Sequence, residues 1–270
     1  MLLEFIDDVD PGISRYRLDL GELYPDSDAR ARFEARWEEF SRSAADHRDL
    51  FSRDAEAIVY RTESFLPREH DGRPPVLLVL GNPASHSVRA GMCFAFEQGH
   101  TSEHRFWRAL AAANWLSFHD AAVRLHDSVE ARNARRRAAL LAGRYESPFL
   151  VGIDIFFTFP SPASAPAWAE VGGLVKLFGR HAMRLIADAE RTRLAAPDAL
   201  GRTNYASVIL AAVPTENPRR SARRSRYRRI GHGTFDPAPW EAPGRTAKLH
   251  KVAPSIPGWF RNGLRRSAGC

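Results

Sequence analysis

Cysteine and lysine are scarce in this 270-residue sequence. The two cysteines, Cys93 and Cys270, cannot form the disulfide framework of a small secreted protein, and no cysteine or histidine spacing matches a zinc or iron–sulfur site. The first residues, MLLEFIDDVDP, carry acids where a signal peptide needs basic residues and an apolar run. No stretch approaches the roughly 20 apolar residues of a membrane span. We therefore expect a soluble, cytoplasmic protein that neither enters a membrane nor binds a metal.

The common catalytic signatures are missing as well. The sequence contains no GxxxxGK[ST] loop, no GxGxxG after a strand, no HExxH and no GxSxG. No familiar nucleotide-binding, metalloprotease or serine-hydrolase motif therefore indicates the function.

The chain is long and rich in apolar residues, and its charge is unevenly distributed. With 44% apolar residues the chain can bury a sizeable core. Residues 214–270 hold thirteen basic residues against three acidic ones, a net charge of +10, so residues 1–213 sum to −3 within the total of +7. Such a basic block favours a polyanionic partner, DNA first, because phosphate contacts release counterions. The alternative is a solvated end, since 36 arginines against three lysines also reflect a compositional bias.

Residues 1–70 are predicted to form a helical N-terminal extension. Asp26 and Ser27 offer N-caps, and apolar residues then recur at helical spacing. These residues are Phe33, Trp37, Phe40 and Ala44. A second helix is predicted from about residue 47 to residue 62, and a turn is predicted at residues 67–75.

Residues 71–213 are predicted to form an α/β core. Three apolar runs typical of buried parallel strands alternate with three helical patterns. The predicted strands are residues 76–80, 149–159 and 205–213, and the predicted helices are residues 103–115, 128–142 and 171–193. This alternation predicts a mostly parallel sheet with helices on both faces, a three-layer αβα fold that binds ligands beyond the carboxyl ends of its strands. The arginine- and proline-rich residues 214–270 are expected to be partly disordered.

The most specific pattern begins where the first predicted strand ends, in LLVLGNPASHSVRAGMCFAFEQGHTSEHRFWRAL. Pro83 follows Asn82 directly, and Gly91 and Phe94 come nine and twelve residues after Asn82. The segment HRFW at residues 104–107 then begins a helix. This spacing resembles the first motif of the uracil-DNA glycosylase superfamily, and it is closest to the mismatch-specific thymine/uracil branch.

The resemblance implies a monofunctional DNA glycosylase, which flips a damaged or mismatched base such as uracil out of the duplex and hydrolyses its N-glycosidic bond. Asn82 would position the attacking water, and Phe94 would stack on the extruded base. The loop backbone at Pro83, Ala84 and Ser85 would contact the polar edge of that base. No metal or redox cofactor is implied. The three lysines lie away from these motifs, which argues against a lyase that forms a Schiff base.

Two positions depart from the family pattern. Ala84 stands where the family has a glycine, and Gly81 precedes the asparagine where the family has an aliphatic residue. A side chain at Ala84 narrows the approach of the backbone to the base, so the base preference is not carried over. The ordinary alternative is that Asn82 and Pro83 form a turn and Phe94 belongs to the core.

The second family motif, a loop that wedges into the duplex, matches the segment NPRRSAR at residues 217–223. In this alignment Arg223 fills the space left by the flipped base, and Ser221 lies in the wedge. The other predicted DNA contacts are Asn217, Arg219, Arg220 and Arg224. Residues 253–255 compete for this role, and an arginine–serine run that matches by composition alone is the alternative. If residues 217–223 form the wedge, one strand–helix unit of the family sheet is missing.

A proline-rich segment, FPSPAS at residues 159–164, follows the second predicted strand. We expect it to lie beside the Asn82 loop at the same sheet edge and to contact the DNA backbone through Ser161 and Ser164. The alternative is a simple turn, which proline-rich strand ends often form.

Together these patterns predict a monomeric DNA glycosylase of the cytoplasm, associated with the nucleoid if the organism is bacterial. A DNA-binding relative that has lost the chemistry stays open, and the weak second motif favours it. A hydrolase of free nucleosides or nucleotides also stays open, because it would need the pocket but not the arginine-rich wedge. Removal of residues 214–270 separates this last function from the others, since only a small-molecule enzyme would keep its activity.

Overall fold

The computed structural model describes residues 1–96, 103–118, 127–195 and 209–211. The strands in these residues are β1 (Leu3–Asp10), β2 (Ile13–Asp19), β3 (Phe51–Arg53), β4 (Ala57–Glu63), β5 (Pro75–Leu80), β6 (Leu150–Ile155) and β7 (Ile209–Ala211). The helices are α1 (Leu20–Leu23), α2 (Ser27–Ser41), α3 (His47–Leu50), α4 (Ser85–Ala90), α5 (Arg105–Ala112), α6 (Val129–Leu141), α7 (Glu170–Phe178) and α8 (Arg180–Ala195). The architecture is mixed α/β, with one antiparallel and one parallel sheet.

The first four strands form an antiparallel sheet in the order β1-β2-β4-β3. In β2 the buried Tyr16 and Leu18 alternate with the partly exposed Arg15 and Arg17, the period of two expected of a strand. The prediction of a helical extension over residues 1–70 is therefore wrong for most of that range. Charged residues interrupt the apolar pattern of these strands, and each strand depends on pairing with its neighbours for stability.

The second predicted N-terminal helix ends after one turn. α3 ends at Leu50, and the chain continues into β3 and β4. In β4 Ile58, Tyr60 and Thr62 are buried, again with a period of two. The prediction of a helix at residues 47–62 is wrong because pairing with β2 decides the conformation of these β-branched and aromatic residues.

The first predicted helix is confirmed as α2, which ends at Ser41 and so does not include Ala44. The Asp26 side chain caps it by accepting a hydrogen bond from the Ala29 N–H at 2.7 Å. The buried residues of α2 are Phe33, Trp37 and Phe40. Phe33 stacks on Phe178 of α7 with ring centroids 5.8 Å apart. α2 and the antiparallel sheet therefore share one hydrophobic core with α7 and α8.

β5, β6 and β7 form a separate parallel sheet in the order β6-β5-β7. The predicted parallel strands are thus confirmed, but the expected single, mostly parallel sheet is not, because the N-terminal strands form their own sheet. The two sheets are linked at Phe65. Its N–H donates to the Ile153 carbonyl at 2.7 Å, and its carbonyl accepts from the Ile153 N–H at 2.9 Å.

The helices between the parallel strands follow the prediction with two exceptions, the first of which is the unpredicted α4 in the loop after β5. α5 and α6 confirm the helices predicted at residues 103–115 and 128–142. The helix predicted at residues 171–193 is divided into α7 and α8. Gly179 separates them with a φ of +83°, which glycine adopts without strain and which ends α7. The domain boundaries at residues 70 and 213 stay predictions.

Candidate functional site

The loop that follows β5 carries the predicted site. β5 lies between β6 and β7, and the loop begins at Gly81, at the carboxyl end of this central strand. In such a sheet the chain leaves the central strand to one side and later returns on the other, which creates a crevice at that edge. Asn82 is the first polar side chain beyond β5. It therefore lies at the edge where parallel sheets bind ligands.

The segment after β6 runs alongside this loop, as predicted. The Ser161 N–H donates to the Pro83 carbonyl at 3.0 Å, and the Ser161 carbonyl accepts from the Ser85 N–H at 2.9 Å. Ala84 and Ser161 thus form a parallel bridge. Ser161 is only 3% exposed, so the predicted contact between its hydroxyl and the DNA backbone is wrong, whereas Ser164 is exposed.

The Asn82 side chain is held at one end. Its Nδ2 donates to the Ser161 Oγ at 2.8 Å and to the Pro83 carbonyl at 3.4 Å. The second contact agrees with this orientation of the amide, because a carbonyl oxygen only accepts. Among the described residues no group donates to the Asn82 Oδ1, and Asn82 is partly exposed. Oδ1 can therefore accept a hydrogen bond from water while Ser161 keeps the amide in place.

A buried ion network holds the chain segment that leaves β6. Arg193 of α8 contacts Asp154 at 3.0 Å and Glu190 at 2.6 Å. Glu190 in turn accepts from the N–H and the hydroxyl of Thr158, at 2.6 and 2.5 Å. Burial raises the pKa of Glu190, and Arg193 opposes this shift. α8 thereby fixes the segment that pairs with the Asn82 loop.

The backbone predicted to contact a base is partly used within the protein. The Pro83 carbonyl and the Ser85 N–H pair with Ser161, and the Ala84 carbonyl accepts from the Ser87 N–H at 2.9 Å. These hydrogen bonds hold the loop in one conformation. A contact between this backbone and a base stays a prediction.

Phe94 has a φ of 47°, a left-handed conformation that a bulky residue rarely adopts. Its ring stacks on the rings of His104 and Phe106, with centroids 4.8 and 4.2 Å away. Its carbonyl accepts a hydrogen bond from the Trp107 Nε1 at 3.1 Å. The partly buried Phe94 therefore belongs to an aromatic cluster with the HRFW segment, and its stacking on an extruded base stays a prediction.

A cleft of about 440 Å³ lies beside the Asn82 loop. It is lined by Ala44, Asp46, Ser85, His86, Pro162, Ala163 and Ser164. His47, the neighbour of Asp46, contacts the Ser85 side chain, with Nε2 3.0 Å from Oγ. The sequence did not point to His47 or Asp46, because 38 positions separate His47 from Ser85 and no spacing motif connects them.

The predicted wedge lies outside the described residues. This applies to Asn217, Arg219, Arg220, Ser221, Arg223 and Arg224, and to the competing residues 253–255. Their contacts with DNA stay predictions.

Comparison with protein-family models, with curated proteins and with solved structures finds no match to this chain. In the part of the chain that the structure describes, no helix is both long and apolar enough to cross a membrane. Within the same ranges, no three His, Cys, Asp or Glu side chains are grouped so that they could hold a metal ion. The case for a function therefore rests on the geometry of the site and on the Asn82 motif.

Proposed function

We propose that the chain is a DNA glycosylase that hydrolyses the N-glycosidic bond of a flipped uracil or a related deaminated or mismatched base. The observation that carries this proposal is the Asn82 amide, which Ser161 holds through Nδ2 at 2.8 Å while Oδ1 is left for water. A base such as uracil departs as an anion, so the reaction needs a positioned water more than a strong general acid. Asn82 directs that water at the anomeric carbon.

The proposal includes a three-layer αβα core. It is supported by the parallel order β6-β5-β7, because parallel neighbours require crossover connections. α5 and α6 lie between β5 and β6 in the chain, and α7 and α8 lie between β6 and β7. The motif loop then occupies the crevice that this topology creates.

DNA is the proposed partner, bound by a monomer of the cytoplasm without a cofactor. Residues 214–270, with a net charge of +10, would supply phosphate contacts. Residues 217–223 would enter the duplex, with Arg223 in the space that the flipped base leaves.

A DNA-binding protein of the same fold without glycosylase activity is the second candidate. It is favoured by the loop backbone, because the Pro83 carbonyl and the Ser85 N–H already pair with Ser161. Such a loop has fewer free groups for the polar edge of a base.

Strand nicking after alkali tests the proposal on labelled duplexes that contain uracil, thymine opposite guanine, hypoxanthine or xanthine. We expect the wild type to cleave at least one of them. Asn82→Ala should slow cleavage by roughly 100-fold or more, because the water loses its positioning group. Ser161→Ala should cause a smaller loss, since the amide keeps its contact with Pro83. Melting curves of both variants control for unfolding.

Two outcomes would contradict the proposal. No cleavage of any duplex, together with salt-sensitive DNA binding, would reject the glycosylase and support the second candidate. Cleavage that persists in a folded Asn82→Ala variant would reject the role of Asn82.

A further inference from the structure

A serine and a histidine form a second reactive pair beside the Asn82 loop. Ser85 is the first residue of α4, and His47 is the first residue of α3. The Ser85 Oγ lies 3.0 Å from the His47 Nε2. Ser85 is 1% exposed and His47 is 2% exposed. The hydrogen bond between them is therefore shielded from bulk water.

The other ring nitrogen of His47 decides where the proton lies. Nδ1 is 2.9 Å from the Phe40 carbonyl oxygen. Since a carbonyl oxygen only accepts, Nδ1 carries the proton, and Nε2 of the neutral ring is an acceptor. The Ser85 hydroxyl therefore donates to Nε2, which is the orientation in which a base removes the proton of a serine.

The surroundings of His47 suit a base. Burial lowers the pKa of His47, while the Phe40 carbonyl and the Asp46 carboxylate oppose this shift. The ring is therefore neutral and ready to accept a proton at neutral pH. Once it is protonated, the same carbonyl and carboxylate stabilise the cation. Asp46 itself pairs with Arg89 at 2.8 Å.

Both partners are held in position. The His47 ring stacks on Phe40 with centroids 4.4 Å apart and meets Phe51 edge-on at 5.1 Å. Ser85 is fixed by its N–H, which donates to Ser161 at 2.9 Å. A nucleophile and its base need this kind of support, because small displacements strongly reduce the rate of reaction.

Ser85 also lines the cleft of about 440 Å³. A cleft of this size accommodates a small organic molecule. Its apolar lining comes from Ala44, Pro162 and Ala163, and its polar lining comes from Asp46, Ser85, His86 and Ser164. This mixture favours a compact substrate with both an apolar and a polar group.

We propose that Ser85 is a nucleophile with His47 as its general base, and that the cleft accepts a carboxylic ester with a small acyl group. The Ser85 oxygen forms a bond to the ester carbonyl carbon while its proton moves to the His47 Nε2. The bond from that carbon to the leaving oxygen then breaks, and the leaving oxygen takes the proton from Nε2 and departs as an alcohol. Water attacks the acyl-serine, and its proton passes through Nε2 to the Ser85 oxygen, which leaves as the acid is released.

This activity is separate from the proposed glycosylase. The nucleophile is a serine rather than a water, and Asn82 takes no part. Asn82→Ala should abolish base excision but leave the reaction at Ser85 unchanged. Each proposal can therefore fail without the other.

Labelling of the full chain with a fluorophosphonate, followed by intact mass and peptide mapping, tests the proposal. We expect one adduct, on Ser85, and hydrolysis of p-nitrophenyl acetate with an initial burst. Ser85→Ala should abolish both reactions. His47→Gln, which keeps a polar side chain but removes the base, should slow both by roughly 100-fold or more. Ser27→Ala removes an exposed hydroxyl that does not line the cleft and should change neither.

A second readout covers the case in which His47→Gln does not fold. In Ser85→Cys the imidazole should draw the proton from the thiol, so iodoacetamide should alkylate residue 85 already at about pH 6, where an ordinary thiol is unreactive. The absence of a Ser85 adduct in the folded wild type would overturn the proposal. Labelling at the wild-type rate in folded His47→Gln would do the same, as would ordinary thiol reactivity in folded Ser85→Cys.

Discussion

At the scale of single residues, Glu63 has a carboxyl group where water hardly reaches it. It is the last residue of β4 and is 2% exposed, and within the described ranges its Oε2 has no hydrogen-bond partner. Burial raises the pKa of Glu63 to about 8, from an ordinary value of 4.5. The folded chain therefore keeps this carboxyl group mostly protonated at neutral pH.

The stability of the protein should consequently fall as the pH rises from about 5 to about 8. Over this interval the unfolded chain has released the Glu63 proton while the folded chain still holds it, so the stabilisation by this group is lost as the pH approaches the folded-state pKa. The contribution amounts to roughly 3 kcal/mol. Denaturant unfolding at both pH values measures it. Glu63→Gln cannot lose a proton at this position, so its stability relative to that of the wild type should be greater at pH about 8 than at pH about 5.

The exposed Glu69 provides the control for this experiment, since Glu69→Gln should follow the wild type at both pH values. A difference between Glu63→Gln and the wild type that is the same at both pH values would contradict a protonated Glu63.

The residues of the site differ in how far the sequence predicts them. The position of Asn82 at a strand end follows from a continuous apolar run and a turn signal beside it. The contact of Ser85 with His47 depends on the packing of α3 against α4, and neighbouring residues in the chain carry no sign of it. The predicted helix at residues 47–62 would have placed His47 among other neighbours than those that the structure shows. Local patterns predict local structure, whereas a contact across 38 positions needs the fold.

At the scale of elements, the first turn of α7 packs very closely on the chain before it. A Cβ atom at Gly173 would lie 1.9 Å from the Trp168 carbonyl oxygen, whereas a Cβ atom at Gly172 would have no atom within 4 Å. Trp168 is buried, and the Lys176 Nζ lies 3.5 Å from the centroid of its ring. Only glycine at position 173 permits this approach.

Two alanine substitutions in α7 should therefore differ in their effect on stability. Gly173→Ala should lower the free energy of unfolding by about 2 kcal/mol or more, because backbone must move to relieve the clash. Gly172→Ala should be neutral or add up to about 1 kcal/mol, since alanine favours a helix. Denaturant unfolding of both variants measures the difference. Equal stabilities would mean that α7 does not pack on the Trp168 carbonyl.

The strands and helices differ in how well their sequence patterns predict them. β5 is a continuous apolar run and β6 is mainly apolar, and the sequence predicts both because both faces of a central parallel sheet are buried. β1 to β4 mix charged residues with apolar ones, so their conformation depends on pairing with each other. Gly179 lies in a segment with a continuous helical pattern, and only its positive φ reveals the break.

At the scale of the whole molecule, the charge is divided between a slightly acidic part and a strongly basic end. If residues 217–223 enter the duplex, replacing Arg219, Arg220 and Arg223 by Gln should reduce base excision even at saturating DNA. A control variant with Gln at Arg261, Arg265 and Arg266 removes the same charge and should lose affinity only. Each lost phosphate contact should lower the slope of log K against log salt by about 0.9. Equal loss of excision in both variants would contradict a wedge at residues 217–223.

The hydrophobic core that joins α2 to α7 also affects how the chain folds during synthesis. Phe33 finds its stacking partner only when Phe178 has been made. At about 5–20 residues per second, this delay is on the order of ten seconds. Until then the apolar face of α2 lacks its contacts with α7. Such exposed apolar surfaces bind chaperones and can associate with other nascent chains. The strands of the N-terminal sheet are therefore made early, but the hydrophobic core beneath them is completed only with α7 and α8. A ribosome that stalls before α7 would release an aggregation-prone fragment rather than a folded domain.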